Sequence, residues 1–292
     1  MTSFNLPSQE GRVALITGAN TGIGLVTARE LARAGARVFI ACRSEARGQE
    51  AKAAIARDTG KEVAVLALDL SDLDSVRRAA PAFLTYDLPL HLLINNGGVA
   101  GQRGLTHDGF ELTFGTNHLG HFLLTELLLP RIKQSAPARI VTVASRAHIR
   151  VKSIPFAALR AKTSSLTGLP EYGVSKLANV LFSAELARRL KGSGVTTYAL
   201  HPGVVATDVW RHVPGFLRGL MKLGMMSPED GARTTLYCAT APEAAQETGL
   251  YYDEAKLKEP SALAHDADLA QELWTKSEAW THAVAAVGAA RA

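Results

Sequence analysis

Apolar residues along this chain fall into short unbroken runs, separated by longer stretches in which they recur every three or four positions. The runs at 13–17, 37–41, 63–68, 90–94, 139–144, 196–200 and 250–252 are rich in Val, Ile, Leu and Ala and too short for helices, which reads them as strands. Charged residues do not alternate within them, so both faces of each strand must be covered. Between the runs a 3.6-residue period predicts helices, notably over 25–34, over 110–129 and from Tyr172 onward, where Val174, Leu177, Ala178 and Leu181 share a face. Strand and helix thus alternate as βαβ units. The pattern predicts one α/β domain over 1–292, doubly wound around a central parallel sheet of about seven strands.

Two stretches break the rhythm, an insertion at about 146–169 and a segment at about 204–227. Long loops in a compact domain are usually functional, and the second carries Trp210, Phe216, Leu217, Leu220 and Met221, which suits a pocket for a lipophilic substrate. The same residues would also serve as core filling, or as an amphipathic surface helix with Arg218 and Lys222 one turn apart. An alanine-rich tail after Trp280 is expected to fray.

Composition narrows the function. With 292 residues and 47% hydrophobic content the chain can bury a large core. The net charge of +5 is dispersed over short basic and acidic stretches, which speaks against nucleic acid and leaves a small anionic ligand open. The basic run Arg146, His148, Arg150, Lys152 reads as a solvated loop. Cys42 and Cys238 stand far apart, and His107, His118, His121 and His201 lack ligand spacing, so neither disulfides nor a metal is expected. No apolar run could span a bilayer and residues 1–10 lack a secretion pattern, so the expectation is a cytoplasmic protein whose membrane contact, if any, is peripheral.

The first strand is followed by Thr17-Gly18-Ala19-Asn20-Thr21-Gly22-Ile23-Gly24 and then a helix. Glycine allows the tight turn, and a helix start offers unpaired N–H groups to an anion, so this turn is a candidate pyrophosphate cradle. Glycine turns before helices also occur for structural reasons, and the βαβ context favours the binding reading. At the end of the second strand, where NAD-selective sites carry a carboxylate, stands Arg43. A guanidinium pairs with a 2′-phosphate and points to NADP(H).

Tyr172 and Lys176 lie one helical turn apart. Tyrosine titrates near pH 10, about three units above neutrality, and an adjacent ammonium stabilises the phenolate and makes it a usable acid or base. Ser145, just past the fifth strand, could hold a substrate oxygen or merely cap a helix. Asn117, within an apolar helix, could organise a water relay to Lys176 or be a satisfied core amide.

In order along the chain, TGANTGIG, Asn95-Asn96-Gly97-Gly98, Asn117, Ser145, YGVSK and Pro202-Gly203 resemble the short-chain dehydrogenase/reductase family over nearly the whole length. The wording at Ala41–Ser44, Ser175–Phe182 and His201–Val205 is similar to its retinol dehydrogenase-like branch. The resemblance implies a Rossmann fold and a tetrad of Asn117, Ser145, Tyr172 and Lys176. It implies cofactor contacts from Gly18, Asn20, Thr21, Gly22, Ile23, Gly24, Arg43, Asp69 at the adenine, Leu70, Asn95, Gly97, Pro202, Gly203, Val205 and Thr207, besides Tyr172 and Lys176. It departs at Gly97, where the family usually has alanine, and in the long segment between Ser145 and Tyr172. The expected activity is NADP(H)-dependent interconversion of an alcohol and a carbonyl on a lipophilic substrate, with Trp210, Phe216, Leu217 and Met221 in its pocket. Reduction of a conjugated C=C bond, or NADP(H) sensing without chemistry, remain alternatives, and the chain is read as a monomer or homodimer.

Overall fold

A computed structural model describes residues 4–203 and 226–289, with side chains to 282. The seven expected strands are β1 Val13–Thr17, β2 Arg37–Cys42, β3 Ala64–Ala67, β4 Leu92–Asn95, β5 Ala138–Val143, β6 Val195–His201 and β7 Leu250–Asp253. They pair in parallel in the order β3-β2-β1-β4-β5-β6-β7. An eighth strand, β8 Lys256–Leu257, closes the edge antiparallel to β7. It is two exposed residues long and carries no apolar run, so the sequence pattern does not announce it.

Alternate residues of each strand enter different cores. Val13 and Leu15 of β1 face one, and Ala14 and Ile16 face the other. The first core lies beneath α3 Leu73–Leu84, α4 Leu112–Gln134, α5 Leu169–Arg189 and α7 Ala267–Ala289; the second lies beneath α1 Gly22–Arg33, α2 Glu45–Thr59 and α6 Pro228–Thr240. Two-sided burial is why the strands read as unbroken apolar runs. Helix α4 continues through three parts, Leu112–Phe114, a π-type turn Gly115–Leu119 and Gly120–Gln134. The wide turn falls on Asn117, and such turns often mark functional sites.

The insertion forms two 3₁₀ turns, Arg146–Arg150 and Phe156–Arg160, before α5 begins. Helix α7 runs to Ala289. Trp274 packs edge-on to Phe122 with ring centroids 5.0 Å apart, and Trp280 lies 5.6 Å from Phe110, which anchors the helix. No helix among the described residues is long and apolar enough to cross a membrane.

Strand order reverses between β1 and β4, and a crevice opens there at the carboxyl ends. Its depth depends on α4 lying close to the turn after β3. At Gly120 a Cβ would stand 2.5 Å from the Leu70 carbonyl oxygen and 3.1 Å from its Cα, backbone that cannot step aside. Gly120→Ala is therefore expected to destabilise the fold by about 1–3 kcal/mol through overpacking. Urea unfolding measures it, and an unchanged midpoint would mean that α4 can ride off Leu70 freely.

Candidate active site

The glycine turn is shaped by backbone geometry. Gly18 and Gly22 have φ of +63° and +56°, the left-handed region that L side chains rarely adopt. Thr21 enters α1 extended and makes no side-chain cap, and the first turn of α1 holds no acidic residue, so its amide end stays open to an anion. Behind the turn, the Thr17 hydroxyl accepts hydrogen bonds from the Asn96 and Gly97 amides, both at 2.9 Å. The Asn96 side chain donates back to the Thr17 carbonyl at 2.8 Å. Asn96, which the sequence placed in a motif but gave no role of its own, thus ties β4 to the glycine turn. Its neighbour Asn95 is buried and donates to Thr125 at 3.0 Å, behind the crevice wall.

At the other end of the crevice, Arg43 is exposed and lies 3.9 Å from Asp69, whose second oxygen accepts from the Ser71 amide and hydroxyl. Ser44 caps α2 by accepting from the Arg47 amide at 3.4 Å, and Ser44 and Arg47 join Arg43 in the lining. Arg47 was missed, although a second arginine one turn into the helix was the available signal.

Ser145, Tyr172 and Lys176 meet at the carboxyl end of β5. Lys176 donates from Nζ to the Val143 carbonyl at 2.8 Å and lies 5.6 Å from the centre of the Tyr172 ring. Burial pushes the Lys176 ammonium down to about 7 and raises the Tyr172 phenol above its ordinary value, with a hydrogen bond from Ser145 pulling the phenol the other way. The sequence led one to expect the ammonium to hold the phenol down. In the folded chain desolvation dominates both groups, and Ser145 is what favours the phenolate. Ser145 also accepts from the Ala147 amide at 3.2 Å, so its capping and substrate-facing readings coexist.

Asn117 is fully engaged. Its Oδ1 accepts from the Val99 amide at 2.8 Å, and its Nδ2 donates to the Val99 carbonyl at 3.0 Å and to Ser175 at 2.9 Å. Its main-chain carbonyl accepts from His121 Nδ1 at 3.0 Å, which leaves Nε2 to accept the Thr17 hydroxyl 2.8 Å away. Burial keeps that imidazole neutral, its pKa pushed down to about 4. The basic run after β5 is not simply solvated: Arg146 pairs with Asp253 and Glu254, and His148 is buried, donating to the Ser145 carbonyl at 2.6 Å.

One cavity of about 1220 Å³ joins these parts. It runs from Gly18, Asn20, Thr21, Gly22, Ile23 and Gly24 past Arg43, Asp69, Leu70 and Gly97 to Ser145, Tyr172, Lys176, Pro202 and Gly203. Its far wall is Val99, Leu112, Val151, Pro155, Leu169 and Val174, none of them anticipated as pocket residues. Val205, Thr207, Trp210, Phe216, Leu217 and Met221, with Leu220, Arg218 and Lys222, lie outside the described residues. An open helix end, two arginines and this volume fit a pyridine dinucleotide with space beside it for a substrate. No group of His, Cys, Asp or Glu able to hold a metal occurs among the described residues.

Residues 12–215 match the family model for short chain dehydrogenase. Retinol dehydrogenase 12 of Mus musculus is 48% identical over 280 residues, covering 94% of this chain and 87% of that protein. Dehydrogenase/reductase SDR family member 13 of Bos taurus is 46% identical over 279 residues, covering 93% of this chain and 74% of its own length. Among solved structures, an uncharacterized protein from Mycobacterium paratuberculosis is 38% identical with a TM-score of 0.77, over 95% of this chain and 96% of the other.

The buried lysine has a measurable signature. Unfolded, it keeps its proton to near pH 10.5; folded, it does so only to about pH 7, so the unfolded chain holds the extra proton between these values and stability rises with pH across that window. Lys176→Met removes the burial cost, and the Val143 carbonyl keeps its bond from Asn179 at 3.2 Å. The variant should be more stable than the parent at pH 7, with the difference closing toward pH 10.5. Chemical denaturation at the two pH values checks this; a variant less stable at pH 7 would rank the lost hydrogen bond above desolvation.

Proposed function

The chain belongs to the short chain dehydrogenase family and is an oxidoreductase that works with a nicotinamide dinucleotide, and we propose that it uses NADP(H) to interconvert a lipophilic alcohol and its carbonyl. The observation that carries this reading is the meeting of Ser145, Tyr172 and Lys176 at the end of one cavity whose other end is lined by Arg43 and Arg47. The substrate class is that of the relatives named retinol dehydrogenases, and the apolar wall of Val99, Leu112, Val151, Pro155, Leu169 and Val174 is suited to it.

The nicotinamide supplies or accepts a hydride when bound. Pro202 and Gly203, at the end of β6, with Lys176 and Tyr172 opposite, would hold that end of the cofactor, while the α1 amides take the pyrophosphate and Arg43 and Arg47 the 2′-phosphate. In the reductive direction Ser145 and Tyr172 hold the substrate oxygen, and Tyr172 gives up its proton as negative charge develops there. The Ser145 hydrogen bond favours the phenolate that remains, and Lys176 beside the ring is the group placed to return its proton. The apolar wall excludes water from the reacting carbon.

Two measurements test this. Tyr172→Phe should lower turnover by about a hundredfold or more while weakening NADPH binding, followed by fluorescence, far less than that; near-normal turnover would remove Tyr172 from the role. Arg43→Asp should raise the KM for NADPH by about tenfold or more and spare NADH, as expected for losing a charge-assisted pair. A parent enzyme that turns over equally well with NADH would overturn the NADP(H) assignment. Aliphatic, aromatic and isoprenoid aldehydes, ketones and enones make the substrate panel, with faster turnover of enones at C=C excluding the carbonyl reading.

A further inference from the structure

The polar atoms around Lys176 are unevenly partnered. Toward α4, each donor and acceptor of the Asn117 side chain is engaged by Val99 and Ser175, and its carbonyl by His121. The other flank differs. There β6 ends in His201 and β7 in Asp253, which are register partners across the two strands. Two positions back on each strand, Ala199 and Tyr251 belong to the core beneath α5, so His201 and Asp253 face the same side as the helix that carries Tyr172 and Lys176. His201 is 4% exposed, and neither ring nitrogen has a partner among the described residues. Asp253 is 5% exposed with Oδ1 unpartnered, and the Tyr251 hydroxyl and Ser261 Oγ nearby are likewise buried and unpartnered.

His148 provides a contrast within the same cluster. Its Nδ1 donates to the Ser145 carbonyl and its Nε2 accepts from the Ser261 amide at 3.1 Å, which fixes one tautomer. His201 lines the crevice together with Lys176 and Ser145. The groups facing it are Lys176 from α5, Arg146 and His148 from the insertion, and Asp253 from β7, while Tyr251 of β7 feels Tyr172. The free oxygen of Asp253 looks inward; its other oxygen accepts from Arg146 Nε at 2.5 Å, and Arg146 is about half exposed. Buried polar atoms without protein partners take water, and this set leads from the lysine to the surface.

We propose that His201 and Asp253, bridged by buried water, form a proton relay between solvent at Arg146 and the Lys176–Tyr172 pair. The proposal rests on the oxidoreductase reading above. Each carbonyl reduction places a hydride on carbon and the Tyr172 proton on oxygen, so one proton must return from solvent per turnover. Lys176 passes a proton to the phenolate and is left neutral. Neutral His201 accepts a proton at one nitrogen and releases one from the other, restoring Lys176, and Asp253 holds the water that feeds it. Alcohol oxidation runs the same path outward, and no further reactant is needed.

Ring ¹⁵N resonances of the full chain, read without substrate, test the relay independently of activity. His201 should show both nitrogens averaged between two tautomers, with His148 fixed in one; a single fixed tautomer at His201 overturns the relay. In kinetics, His201→Ala should lower kcat for carbonyl reduction by about tenfold or more, enlarge the D₂O effect on kcat, and recover in part with added imidazole, at unchanged NADPH affinity and KM. His201→Gln, which keeps polar volume but cannot exchange tautomers, should show the same loss if the alanine variant misfolds. A loss without isotope response or imidazole rescue, or weaker NADPH binding at unchanged kcat, overturns the relay while leaving the oxidoreductase reading intact. A parent inert toward every carbonyl would defeat that reading and leave the tautomer measurement to decide the relay.

Discussion

Desolvation of one ammonium group organises this structure. A lysine amine inside a protein is costly unless it is hydrogen-bonded or neutral, and Lys176 is both held by the Val143 carbonyl and brought down to about 7. An amine that titrates near neutrality can gain or lose a proton in each catalytic cycle, which an exposed lysine titrating near pH 10.4 does not do at the same pH. Keeping it there requires that bulk solvent be excluded and that the carbonyl not move. The parallel sheet meets the second requirement, because Val143 ends a strand paired on both sides: Val143 itself partners Leu200 of β6, and Thr142 before it partners Asn95 of β4.

The frame around the lysine is held by polar groups whose roles differ from those their positions suggest. Thr17, at the end of β1, accepts from the β4 turn and donates to His121, and His121 in turn caps the carbonyl of Asn117. Three elements that form the crevice, the first strand, the fourth strand's turn and the π-type turn of α4, thereby share one chain of hydrogen bonds. Such a chain can be strong because its members engage one another in a largely buried setting, with Thr17, Asn117 and His121 shut away from water. Asn117 belongs to this frame through its amide, which grips the Val99 backbone, so its first duty is to hold the floor of the crevice in place.

How much of this was legible follows from the same physics. The seven parallel strands could be read because burial on both faces leaves an unbroken apolar run, a signal that needs no tertiary information. The glycine turn, Ser145, Tyr172 and Lys176 could be read because each requirement fixes a residue type, and the crevice brings them together. The edge strand β8 was not legible, since two exposed residues carry no period. Asn96 and His148 escaped because their work is done by side chain to backbone bonds across long sequence distances, which no local pattern encodes.

The long insertion after β5 acquires a purpose in this light. Its first turn is pinned at three points: Arg146 to Asp253 and Glu254, His148 to the Ser145 carbonyl, and His148 again to the Ser261 amide. A loop that merely roofed the substrate could be attached anywhere. This one is fastened to the ends of β5 and β7, on the flank of Lys176 opposite α4, beside buried atoms of His201, Tyr251 and Asp253 that have no partner among the described residues. Burying a polar group without a partner costs about 1–3 kcal/mol, which the water of the proposed relay would offset. Placing several such groups together beside a titrating lysine is a poor way to gain stability and a direct way to move protons, and that asymmetry is the strongest reason to regard the insertion as part of the reaction apparatus as well as a cover over it.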